Sequence, residues 1–261
     1  MIRYCLLYCT ILFSIKIIAQ DSVILKNNQP DTALKTRFYQ EKSFSHFNKY
    51  ALIVPGILIG YGVTSLSSQE LQKINIDTRN EIREHNPTFS TGLDNFLQYS
   101  PAFAVYALNI AGIHGQNNFR DRTMIYCLSN LYMATTVLTV KHLTKELRPD
   151  GSDYYSFPSG HTATAFAAAE FLRQEYKNVS PWYGIAGYTA ATATGILRMY
   201  NNKHWLSDVA AGAGVGILST KLAYWSYPFI KRKLFNNKPV TTMVVPFYQN
   251  NAAGISLVHH F

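Results

Sequence analysis

Six apolar segments, at about 51–65, 97–113, 123–140, 161–172, 182–197 and 205–228, follow one another through most of the chain. Apolar blocks of ten residues and more bury as helices rather than strands. The pattern therefore predicts an all-α fold, a helical bundle of about six helices around a shared core. The longest connector between segments, SSQELQKINIDTRNEIREHNPTFSTG, is polar with helical charge patterning, and no tandem repeat or low-complexity tract occurs. After Val240 the character changes. VTTMVVPFY and AGISLVHHF flank the Asn-rich QNNA, which reads as a short C-terminal β-hairpin appended to the bundle. The expected layout is 1–19 signal peptide, 20–49 polar lead-in, 50–235 helical bundle and 236–261 hairpin tail.

Several segments approach the length of a bilayer crossing, but none is a clean run of about twenty apolar residues. Asn109, Asn130, Glu170 and Arg173 interrupt or bound them. Polar residues inside spans usually face a bundle interior or a functional cavity. Apolar residues make up 48% of the chain and charged ones 15%, against about a quarter in ordinary soluble domains. The net charge of +9 suits anionic lipid or a phosphorylated substrate. No basic helix or finger pattern favours nucleic acid. Arg120 with Arg122, Arg173 with Lys177, and Lys231 to Lys233 fall on one side of a six-span bundle, which the positive-inside rule makes cytoplasmic.

The N-terminal MIRYCLLYCTILFSIKIIAQ has a basic start, an apolar stretch and a small residue at Ala19, the pattern of a secretory signal; an uncleaved anchor is the alternative. Cys5 and Cys9 lie within it. With it removed only Cys127 remains, so neither a disulfide framework nor a cysteine metal site is available.

Three short stretches carry chemistry. In SFPSGHTATAF, Pro158 suits a helix start, Ser159 can cap it and Gly160 leaves the backbone open to a ligand. The bare N–H groups of that helix start form an anion site with His161 beside it. A capped helix with an incidental histidine would look the same, so the rest of the chain decides. Upstream, KHLTKELRP places Lys141 seven residues before Arg148. Downstream, RMYNNKHWLSD places Arg198 six residues before His204 and Asp208 four after it. Singly, each reads as a solvated pair or two polar residues on a helix face. Together, Lys141, Arg148 and Arg198 supply positive charge and N–H donors for a tetrahedral oxyanion. His204 can be a nucleophile, Asp208 can hold its ring, and His161 can protonate a leaving oxygen.

The ordered set K-x6-RP, PSGH and R-x5-H-x3-D, spanning 141–208, resembles the type 2 phosphatidic acid phosphatase superfamily, which includes bacterial class A acid phosphatases and vanadium haloperoxidases. Leu197 stands where the family often has a serine, which puts one phosphate contact in question. The resemblance implies a helical bundle without a metal or other cofactor. It implies that His204 attacks phosphorus, with Asp208 behind it and His161 as acid. Lys141, Arg148, Ser159, Gly160, His161 and Arg198 would surround the phosphate.

The expected function is that of an exported, membrane-associated phosphatase acting on a phosphorylated lipid: lipid A, an isoprenoid diphosphate, phosphatidylglycerol phosphate or phosphatidic acid. A soluble periplasmic acid phosphatase, a vanadate haloperoxidase and a non-enzymatic bundle are the alternatives. The active site is expected to face the periplasm. Six spans after a cleaved signal would turn it inward. That conflict is removed if 51–65, with Pro55 and Gly56 near its centre, does not cross, if the signal is retained, or if nothing crosses. The connector 66–95 and the loop Gly151–Phe157 are expected to read the head group.

Overall fold

The computed structural model describes residues 49–235, 242–249 and 252–259. The expected signal and nearly all of the lead-in lie outside the described residues. Within 49–235 the described chain is all-helical. A 3-10 turn at Lys49–Leu52 leads into α1 (Ile53–Ser65), followed by α2 (Gln69–His85), α3 (Asp94–Leu97), α4 (Ser100–Ile110), α5 (Phe119–Thr144), α6 (Gly160–Tyr176), α7 (Pro181–Tyr200) and α8 (Leu206–Phe235). The six apolar segments correspond to α1, α4, α5, α6, α7 and α8. The polar connector supplies α2 and the short α3 besides.

Local chemistry fixes where these helices start. Ser68, Asn118 and Ser159 each accept a backbone N–H from the first turn of α2, α5 and α6. Ser180 caps α7, with Pro181 in its first turn. Lys145, at φ 48°, ends α5 in the left-handed conformation. Pro158, expected at the helix start, lies just before the cap Ser159 instead, and α6 begins at Gly160.

Helix α6 runs through the middle of the bundle, packed by α7 on one side and α8 on another. Ala163, Ala165, Ala167, Ala168 and Ala169 are wholly buried. Facing them, Gly212 and Gly216 of α8 lie against the α6 backbone. A Cβ on Gly212 would come within 2.5 Å of the Ser159 carbonyl oxygen, and one on Gly216 would overlap that of Ala163. Only glycine lets the two backbones meet here. Thr220 ties three helices together inside: its hydroxyl donates to the Ala167 carbonyl at 3.1 Å and pairs with Ser129 of α5 at 2.7 Å. Buried hydroxyls paired in this way offset the cost of removing them from water.

Among the described residues α5 is the one helix long and apolar enough to cross a membrane by itself. Helices α1 and α2 pass the same test only as a pair bent by 95°. Arg122 is buried, and Lys231 reaches Asp121 at 2.8 Å, drawing the first and third clusters together.

Candidate active site

The three sequence stretches meet at one end of the bundle. Helices α5 and α7 end there, and α6 and α8 begin there. Ser159, at the mouth of α6, donates its N–H to the Asp208 carbonyl at 3.0 Å, so the second and third stretches share a backbone hydrogen bond. The Ser159 side chain accepts from Thr162 N–H, and Thr162 Oγ1 donates to it at 2.9 Å.

His204 sits in the turn between α7 and α8 and is 4% exposed. Its Nδ1 stands 3.4 Å from Oδ2 of Asp208, at pairing distance but off the line of a hydrogen bond. The same carboxylate oxygen accepts from Ser156 Oγ and, at 2.9 Å, from the Trp205 N–H. Asp208 is thereby held from two sides and turned to the imidazole. With Nδ1 facing the carboxylate, Nε2 is the nitrogen left for a ligand. Burial pushes the His204 pKa down to about 4, against the opposing pull of Asp208. Burial thus favours the neutral form of the ring at ordinary pH.

His161 lies in the first turn of α6, and its Nε2 pairs with Asn95 Oδ1 at 2.9 Å. Burial, followed by the positive charge of Arg198, lowers its pKa to about 4, and Arg148 and Lys141 push the same way. Arg198 and Lys141 also act on His204. These cations therefore converge on both histidines.

Arg198, 8% exposed, donates Nη1 to Asp94 Oδ2 at 2.6 Å, and its Nε has no partner. Asn201 Nδ2 donates to the other Asp94 oxygen at 3.3 Å and to the Thr91 carbonyl at 2.9 Å. Arg148 donates Nε to Asp153 at 2.8 Å. The Lys141 ammonium is turned to the carbonyls of Tyr155 and Ser156. Gly160 opens α6, and the nearest atom a Cβ there would meet is Val137 Cγ1 at 3.8 Å, which leaves its outer side clear.

All eight residues named from the sequence therefore lie at this end. Sequence reading missed Asp94, Asn95, Ser156 and Asn201. Asp94 and Asn95 come from the polar connector between apolar segments, and an adjacent acid and amide in such a connector was the available signal. Among the described residues no group of three or more His, Cys, Asp or Glu could hold a metal.

Residues 122–232, which contain all three stretches, match the profile of the PAP2 superfamily. They form a PAP2 superfamily domain. The chain is 41% identical over 172 residues to the lipid A 1-phosphatase of Porphyromonas gingivalis, an alignment covering 64% of this chain and 38% of that protein. It is 35% identical over 94 residues to the bacitracin transport permease protein BcrC of Bacillus licheniformis, covering 35% and 44%. The chain thus spans less than half the length of either curated relative. Among solved structures, Aquifex aeolicus LpxE aligns with TM-score 0.41 and 21% identity over 55% of this chain and 92% of its own. A transmembrane PAP2-type phosphatidylglycerolphosphate phosphatase from Bacillus subtilis aligns with TM-score 0.45 and 19% identity over 69% and 98%. The PAP2 domain begins within α5 and closes within α8, so α1 to α4, including Asp94 and Asn95, lie ahead of the matched segment.

Proposed function

We propose that this protein is a metal-independent phosphatase that removes phosphate from a lipid. The observation that carries the reading is the buried His204–Asp208 pair, at 3.4 Å, beside the opening turn of α6 and Arg198. His204 Nε2 attacks phosphorus, and the bond from phosphorus to the lipid oxygen breaks. His161 gives its proton to that oxygen. Water then attacks the phosphohistidine with His161 as base, releasing phosphate and restoring His204. A phosphate dianion beside His161 stabilises the imidazolium, countering the burial that keeps the ring neutral without ligand.

Arg198, Arg148 and Lys141, with the N–H groups of Gly160 and His161, hold the equatorial oxygens as charge builds on them. For Lys141 and Arg148 this means exchanging Tyr155, Ser156 and Asp153 for phosphate. Asp208 fixes the His204 ring. Asn95 occupies Nε2 of His161 until a leaving group replaces it.

A phosphorylated lipid is the favoured substrate because α5 has the length and hydropathy of a membrane span and large apolar side chains stand exposed around the bundle. Lipid A is the leading choice, given what the Porphyromonas gingivalis relative is called. We place the site on the periplasmic face, after an N-terminal export signal, and read the C-terminal hairpin as an appendage dispensable for turnover. Purified protein assayed against lipid A, an isoprenoid diphosphate, phosphatidylglycerol phosphate, phosphatidic acid and a soluble phosphomonoester tests the reading. Phosphate release from a lipid and not from the soluble ester is expected. The reverse preference would make this a soluble-type acid phosphatase.

A further inference from the structure

At the opposite end of α6 from the histidines lies a second cation cluster that the proposed chemistry does not use. Its cations Arg173 and Lys177 come twelve and sixteen residues after His161, roughly 18 Å and 24 Å along the helix at about 1.5 Å per residue. Its centre is Glu170, wholly buried. That carboxylate accepts from Arg173 Nε at 2.7 Å and Nη2 at 2.6 Å, from Lys221 at 2.7 Å, and from Gln174 and the Tyr188 hydroxyl. Lys177 is exposed, one turn further on, and its ammonium donates to Gln174 at 2.8 Å. Arg173, Lys177 and Lys221 outnumber Glu170. They still outnumber the carboxylates when Glu175 is included, whose oxygens are taken up by Asn117 and Tyr224.

Two cavities open from this cluster and share Arg173, Lys177 and Tyr188. One, of about 690 Å³, runs along the outer face of α7 past Ile185 and Ile196. The other, of about 630 Å³, runs between α1 and the α6–α8 pair past Val54, Leu58 and Ile217. The start of α7 also lines the first cavity, through Pro181, and brings the positive end of its dipole. Gly184 makes room for the arginine: a Cβ there would lie 2.7 Å from Arg173 Cγ. The cation is thus seated by the α7 backbone and aimed by a buried acid, with apolar grooves leaving on either side of Tyr188.

We propose that this end of the bundle binds an anionic phospholipid, separately from the catalytic site. The phosphate lies on Lys177 and the outer edge of Arg173, and one hydrocarbon chain enters each groove. A neutral head group would leave the excess positive charge unanswered, and free phosphate would leave both apolar grooves empty. Basic pockets between helices are a general means of holding such head groups.

The test uses full-length protein carrying His204→Ala, so that turnover cannot remove the lipid, in neutral detergent with short-chain phosphatidylglycerol as probe. Retention is read by native mass spectrometry and by the shift in Tm. Phosphatidylglycerol should be retained and should raise Tm, whereas phosphatidylcholine should do neither. Lys177→Gln, at an exposed position, should weaken retention about fivefold, the effect of one cation near a lipid phosphate. Arg198→Gln should leave retention unchanged. Equal retention of phosphatidylcholine, full retention by Lys177→Gln, or competition by equimolar inorganic phosphate would each overturn the proposal. Loss of retention in Arg198→Gln rather than Lys177→Gln would put the lipid in the catalytic site and overturn it as well. None of these readings depends on phosphatase activity.

Discussion

Asp94 and Arg198 are 104 residues apart in the chain and 2.6 Å apart in the fold, both nearly closed to solvent. The carboxylate comes from α3, outside the PAP2 domain. The guanidinium comes from the last turns of α7, inside it. A buried pair of this kind fixes a direction more than it adds stability. With Nη1 held by Asp94, the remaining N–H groups of Arg198 are oriented before any phosphate arrives.

Asp94→Ala should therefore lower kcat/KM about 100-fold, comparable to losing one oriented donor. It should also destabilise the protein by about 3–5 kcal/mol, because a buried cation is stranded. Asp94→Asn keeps an acceptor and should recover much of the rate. Steady-state kinetics and thermal unfolding of both variants check this. Equal rates for wild type and Asp94→Ala would remove the positioning role.

His204→Ala should reduce turnover by more than about 10³-fold and abolish any acid-labile phosphoenzyme, while the helical circular dichroism spectrum is retained. Asp208→Asn should cost about 10³–10⁴-fold with the nucleophile still present. Rapid quench with labelled substrate separates the two variants. A phosphoenzyme that persists in His204→Ala would point to a different nucleophile.

Without ligand, burial lowers the pKa of both His161 and His204 to about 4 in the fold, against 6.5 in the unfolded chain. Between those values the unfolded state binds more protons, so stability rises with pH across that window. Stability should be full above about pH 6.5 and fall as the pH drops toward 4. Replacing either histidine by asparagine should flatten the fall. Thermal melts at several pH values measure it, and a wild-type Tm flat between pH 4 and 6.5 would contradict this dependence.

Activity should survive a chelator, and vanadate, which copies the geometry of a phosphoryl group under attack, should inhibit competitively. In the proposed mechanism the charge stabilisation comes from Arg198, Arg148, Lys141 and the start of α6. Activity lost in EDTA and restored by one divalent metal would show that these side chains do not suffice.

The orientation is open to labelling. In a background without native cysteines, Ser152→Cys lies in the exposed loop beside Arg148 and should react with an impermeant maleimide in intact spheroplasts. Protection until permeabilisation would place the site in the cytoplasm. A second cysteine at Ser180, at the other end of α6, shows whether that helix crosses: labelling at both positions means that it does not.

The eight candidate residues could be picked out because each stretch is local: a cap three residues before the N–H it accepts, a histidine four before its carboxylate. Their partners could not. Asn95 meets His161 from 66 residues away, and Ser156 meets Asp208 from 52. Pairings at such separations leave no spacing in the chain. The six apolar helices could be read because each is an apolar run too long for a strand, and α2 because of its helical charge pattern. Four-residue α3 could not be read, since it is too short to show a period. Glu170 was visible as a polar interruption, but its role as a shared acceptor depends on Lys221 and Tyr188 arriving from two other helices.

The glycine contact between α6 and α8 gives the site an unusual vulnerability. Ser159 and Asp208 are held in register by main chain touching main chain, with no side chain between them whose rotamer could absorb an error. A methyl group at Gly216, two turns from Asp208 and remote from any substrate, would wedge the helices apart where they leave the site. Such a change would act as a catalytic lesion in a fold that still assembles. The tolerance of this protein to drift is therefore set by two hydrogen atoms on α8, as much as by its histidines.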